Sequence, residues 1–179
     1  IGYENLRKMV ASHAAQTGFV KPVTRPKPTV SAAGKNTPQE SVKRDQKLLL
    51  TWITEEPALY QKIKKYIQVE DFTESLYQQV ARKLFGDLEQ GNFMPASIIS
   101  MFQDEEEQRE VASLFNTKLQ EEMTDAEREK AFNDIVGKVK RNSFEYYSSR
   151  TGVDMNALNQ VISGKKALEE LSKTHISLC

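Results

Sequence analysis

From residue 37 onward the apolar residues of this chain recur every three or four positions, the spacing of one face of an α-helix. Leu48, Leu49, Trp52 and Ile53 form one such set, and Leu59, Tyr60, Ile63 and Ile67 the next. Leu76, Val80, Leu84 and Leu88 follow, then Val111, Leu114 and Phe115, then Phe132, Ile135, Val136 and Val139. Each set gives a helix one side to bury and leaves the other wet. No alternating, period-two run of strand length accompanies them, and no stretch repeats at a fixed interval. The pattern predicts an all-α protein.

Start and stop signals divide the pattern into elements. Thr37-Pro-Gln-Glu40 has a threonine cap, a proline at the first helical position and a glutamate two residues further on, a capping box with a rigid entry. Pro57 is expected to open a second helix and Thr73 to cap a third, which Gly91-Asn92 stops. Pro95 begins a short helix ending near Phe102. Thr124-Asp-Ala-Glu127 is a second capping box, opening a long helix that Thr151-Gly152 ends. Asp154 caps a last helical stretch, which Gly164 is expected to divide. Ahead of all this, residues 1–17 carry Tyr3, Leu6, Met9 and Val10 at helical spacing. Residues 18–36 hold Pro22, Pro26 and Pro28 with four basic residues and no acid, the composition of an extended tether. The first residue is isoleucine, so the chain is expected to be a piece of a longer protein.

Composition excludes more chemistry than it suggests. Lysine plus arginine equals aspartate plus glutamate, 25 each, so no net field points to nucleic acid or a membrane surface. No apolar run is long enough to span a bilayer, and no basic segment followed by an apolar one marks a secretion signal. The single cysteine, Cys179, cannot pair within the chain, which fits a cytoplasmic setting. With one cysteine and two distant histidines, His13 and His175, no zinc-ligand spacing can be assembled. Gly34-Lys35 and Gly164-Lys165 lack the glycine that a phosphate-binding loop places ahead of that pair. Asp104-Glu-Glu-Glu107 suits a helix N-terminus better than a metal. The basic and aromatic residues between 138 and 150 (Lys138, Lys140, Arg141, Phe144, Tyr146, Tyr147 and Arg150) could hold a single strand of nucleic acid, but they fit the last turns of a packed helix better. No constellation of acid, base and nucleophile is visible.

The combination "LLLTWITEEPALYQKIKKYIQVEDFTESLYQQVARKLF" and "IISMFQDEEEQREVASLFN", preceded by the proline-rich tether, resembles the C-terminal helicase-binding domain of bacterial DNA primase of the DnaG type. The likeness covers about residues 40–179. It implies a helical bundle subdomain (37–123), then a long connecting helix and C-terminal helical hairpin (124–179), with residues 1–17 the tail of the preceding polymerase domain. It also implies a non-catalytic module that docks on the hexameric DnaB-type replicative helicase and is a monomer alone. Zinc and magnesium belong only to domains upstream. On this resemblance the hairpin carries the docking, with Leu158, Val161, Ile162, Leu168 and Leu171 as apolar contacts. Lys165 and Lys166 serve as steering charges, and Tyr146 and Tyr147 as anchors at its tip. The alternatives are the N-terminal domain of a DnaB-type helicase, and a helical single-strand nucleic-acid-binding domain that uses the tether or residues 138–150.

Overall fold

The computed structural model describes residues 37–119, 123–152 and 154–178. The helix expected over 1–17, with His13, and the tether expected over 18–36 lie outside the described residues, as does Cys179. Among the described residues there are seven α-helices and no strand, so the chain is all-α.

Helix α1 (Pro38–Glu55) starts at the predicted capping box: Thr37 Oγ1 accepts from the Glu40 amide at 3.3 Å, and Glu40 accepts from the Thr37 amide at 2.9 Å. Its buried side carries Leu49, Leu50, Trp52 and Ile53. Helix α2 (Ala58–Ile63) is shorter than the apolar spacing suggests. Ile67, placed by spacing on that helix, lies beyond its end yet is buried, because the chain turns there into a 3₁₀ turn at Val69–Asp71.

Helix α3 (Ser75–Gln90) is not capped by Thr73. Gln46, fully buried on α1, anchors the residues ahead of α3 instead: its carbonyl accepts from the Glu74 amide at 3.1 Å, and its amide donates to Thr73 Oγ1 at 2.8 Å. The core side of α3 is also rotated from the expected stripe. Tyr77, Val80, Ala81, Leu84 and Phe85 are buried, while Leu76 and Leu88 are half-buried. Gly91 ends the helix at φ +70°, a left-handed conformation open to glycine at no steric cost, and the Asn92 amide returns to the Asp87 carbonyl.

Helices α4 (Pro95–Ile99) and α5 (Glu105–Asn116) pack on each other, and α5 lies against α1. Asp104 caps α5 by accepting from the Glu106 and Glu107 amides, which accounts for the acidic cluster as a helix start. Helix α6 (Asp125–Ser148) opens at the second capping box and packs along α1. Its Phe132, Ile135, Val136 and Val139 enter the same core as Trp52, Leu84 and Leu114, with Phe132 edge-on to Trp52 at 5.7 Å. The described residues belong to one compact unit, and the boundary expected at 123/124 does not separate two cores.

Helix α7 (Met155–Lys173) is continuous through Gly164, which does not divide it. It runs back along α6. Gly164 lies on Phe144, and residues 176–178 reach Glu129 and Asn133, near the other end of that helix.

Candidate partner-binding surface

Asp71 and Phe72, at the end of the 3₁₀ turn, are interior structure. Phe72 is fully buried and meets Phe85 edge-on at 5.8 Å. Asp71, 1% exposed, accepts from Lys140 Nζ with both oxygens (3.0 and 2.9 Å), from Ser143 Oγ at 2.6 Å and from the Gln68 amide at 2.8 Å. Lys140 is itself 3% exposed. A carboxylate and an ammonium withdrawn from water need this degree of mutual satisfaction to persist. The network therefore ties α6 to the 3₁₀ turn. It also removes Lys140 from the basic stretch of residues 138–150 that sequence alone offers to nucleic acid.

Tyr147 joins the same attachment, its hydroxyl donating to the Glu70 carbonyl at 2.9 Å. Burial, with Tyr146, Asp71 and Glu70 beside it, pushes the phenol pKa up. Tyr146 is half-buried, edge-on to Tyr147 and covered by the Arg150 guanidinium at 3.6 Å from its centroid. Phe144, which touches α7, lies about 200° around α6 from Tyr146. Tyr146 thus points away from Gly164 and lines a hollow with Pro38, Gln39 and Val42 at the start of α1, while Tyr147 ties the α6 end to the turn.

The nine residues picked from sequence therefore fall into two groups, and those on α7 divide again. Ala157 and Gly164 are buried, and Val161, Leu168 and Leu171 are half-buried in the same angular sector, turned toward α6. Leu158 and Ile162 point the other way, 40% and 62% exposed. Met155, not picked out by sequence reading, is 73% exposed in line with them. As the first residue of the helix it reads as a cap neighbour; only the offsets of three and seven to Leu158 and Ile162 reveal it. Lys165 and Lys166 are exposed one turn further on, and all five side chains lie within about 100° around α7. This side of the helix is an apolar stripe with a cationic end.

Among the described residues no cluster of three or more histidine, cysteine, aspartate or glutamate side chains could hold a metal ion. No helix among them is long and apolar enough to cross a membrane. The surface of α7 can offer adhesion and steering, the properties of a contact site. Compared with protein-family models, with curated proteins and with solved structures, the chain matches none.

Proposed function

We propose that residues 37–179 are a non-catalytic docking module of a bacterial DNA primase, binding the hexameric replicative helicase through the outward side of α7. The observation that carries the reading is the stripe of Met155, Leu158 and Ile162 left exposed on α7, followed by Lys165 and Lys166. Large aliphatic side chains kept in water at helical spacing are costly to leave uncovered, and each contributes about 1.5–3 kcal/mol when fully buried. Three such anchors suffice for a reversible complex, in which a few residues dominate the affinity. The primase-like sequence segments give the identity of the partner. Primer synthesis belongs to other domains of the parent protein, and docking places that activity at the unwinding fork, in the cytoplasm.

Size-exclusion chromatography of the chain mixed with a DnaB-type hexamer tests this. Co-elution supports the reading, and separate elution of two folded proteins refutes it.

A further inference from the structure

Helix α7 lies on α6 through a side that is mostly half-buried, with Val161, Leu168 and Leu171 turned toward it and Ala167 and Leu171 packed against the main core. Only Ala157 and Gly164, two of the smallest, are buried along its 19 positions. Among the described residues the hydrogen bonds of its side chains stay within it: Ser163 and Ser172 donate to carbonyls three residues back, and Lys173 to Glu169. The five residues after it are held quite differently. At Thr174 the backbone turns extended (φ −117°, ψ 128°). The Asn133 side chain then grips Ile176 from both sides, accepting from its amide and donating to its carbonyl, each at 2.9 Å. Glu129 takes the Leu178 amide at 2.9 Å, the Ser177 hydroxyl at 3.4 Å and the His175 ring at 2.5 Å. Lys62, from α2, donates to the Ser177 carbonyl at 2.7 Å. Ile176, 6% exposed, is part of the main core, and Leu178 packs against it.

We propose that residues 174–178 are a latch that holds α7 against α6, and that their release lets α7 leave α6 as an intact helix. With the latch engaged, Met155, Leu158 and Ile162 are the large apolar side chains that α7 exposes. With it released, Val161, Leu168 and Leu171 become available too, so the latch sets how much of α7 a partner meets. Two kinds of attachment mark the device: the helix lies on α6 by apolar contact that has no direction, and the segment after it adds the hydrogen bonds to Asn133, Glu129 and Lys62. Directional hydrogen bonds to one asparagine and one glutamate make that attachment an all-or-none contact, a local opening separable from the unfolding of the rest. The latch is a property of the isolated chain and holds whether or not the helicase reading does.

The test is a distance measurement by electron paramagnetic resonance, with Cys179→Ser as background and spin labels at Ser163→Cys on α7 and Arg109→Cys on α5, both exposed. The full chain, Asn133→Ala, and a chain ending at Lys173 are compared, each checked by a cooperative thermal melt. The full chain should give one distance. Both variants should add a second, longer population, raised at least about 10-fold over the full chain, while still melting cooperatively. Unchanged distances in the shortened chain would show that α7 adheres by itself and overturn the proposal. Loss of the cooperative melt in both variants overturns it as well, because the tail is then inseparable from the core.

Discussion

Asp71 meets Lys140 and Ser143 across 69 and 72 positions of sequence, all three side chains out of water. Removing one partner of such a pair costs more than the pair itself is worth, since the other charge stays buried and unmatched. Lys140→Ala should therefore lower stability by about 3–5 kcal/mol. The double variant Asp71→Asn, Lys140→Met should lose clearly less, as a shift in urea midpoint will show. Equal losses would mean that the pair is not desolvated as described. Nothing in the sequence announces this pairing, because an aspartate in a turn and a lysine in a basic run look like ordinary surface residues. The caps at Thr37 and Thr124 were legible, since their partners are local.

Proton linkage acts at the same scale. Glu129 is held below the usual carboxylate range by the Leu178 amide first, then by His175 and Ser177; Glu110 is lowered by the Tyr77 hydroxyl and Lys47. A depressed folded pKa gives stability that is present above the unfolded value, about 4.3, and is lost as pH falls through the folded one. Tyr60, buried and donating to Glu89, is pushed up to about 12, and Tyr77, buried against Glu110, is raised as well. A raised folded pKa gives stability present below the unfolded value, about 10, and lost as pH rises through the folded one. The melting temperature should therefore fall on the acid side below about pH 4.3 and on the alkaline side above about pH 10. A melt that is flat down to pH 3 would contradict the assignment of Glu129 and Glu110.

At the scale of the element, Gly164 shows how a correct local signal gives a wrong boundary. Glycine disfavours a helix interior, so sequence places a break there. The helix continues because Phe144 of α6 lies against that position. A Cβ added to Gly164 would meet Phe144 Cδ2 at 3.5 Å, an ordinary contact. Gly164→Ala should thus keep α7 in place and raise stability by about 0.5–1 kcal/mol, measurable by urea denaturation. A loss of stability would mean that the two helices approach more closely than these distances allow.

Gln46 shows the reverse case. A glutamine in the middle of α1 carries no start signal, yet it holds Thr73 and Glu74, the two residues that lead into α3. Gln46→Ala should cost about 1–2 kcal/mol, with the loss in amide protection concentrated at the start of α3. Thr73→Ala should cost less, because its hydroxyl receives the bond from Gln46 and caps nothing. Helix starts with a local capping box, at Thr37 and Thr124, were readable from four consecutive letters; an anchor reaching across the fold was not.

For the whole molecule, the α-helical class followed from apolar spacing alone, and most of the core followed with it. The orientation of α7 did not. Its aliphatic residues occupy both sides of the helix, and only packing on α6 separates Val161, Leu168 and Leu171 from Leu158 and Ile162. Tyr147 is taken up by the 3₁₀ turn, and Tyr146 lines a hollow with the start of α1. Periodicity identifies a helix with apolar residues to spare; it does not say which of them another helix already covers. Binding should accordingly depend on the outward residues, with Lys165 and Lys166 acting on the rate of association and its salt dependence. A Leu168→Asp variant would confound the two, since that side chain is turned toward α6 and its loss disturbs the fold along with any contact.

The most direct measurement is calorimetric titration of the chain into a DnaB-type hexamer, alongside the double variant Leu158→Asp, Ile162→Asp. Both positions are exposed, so the variant should melt as the parent does. The parent should bind, and the variant should lose affinity by about 100-fold or more. Equal affinity of the two, or no binding by either folded protein, would contradict docking through the outward side of α7.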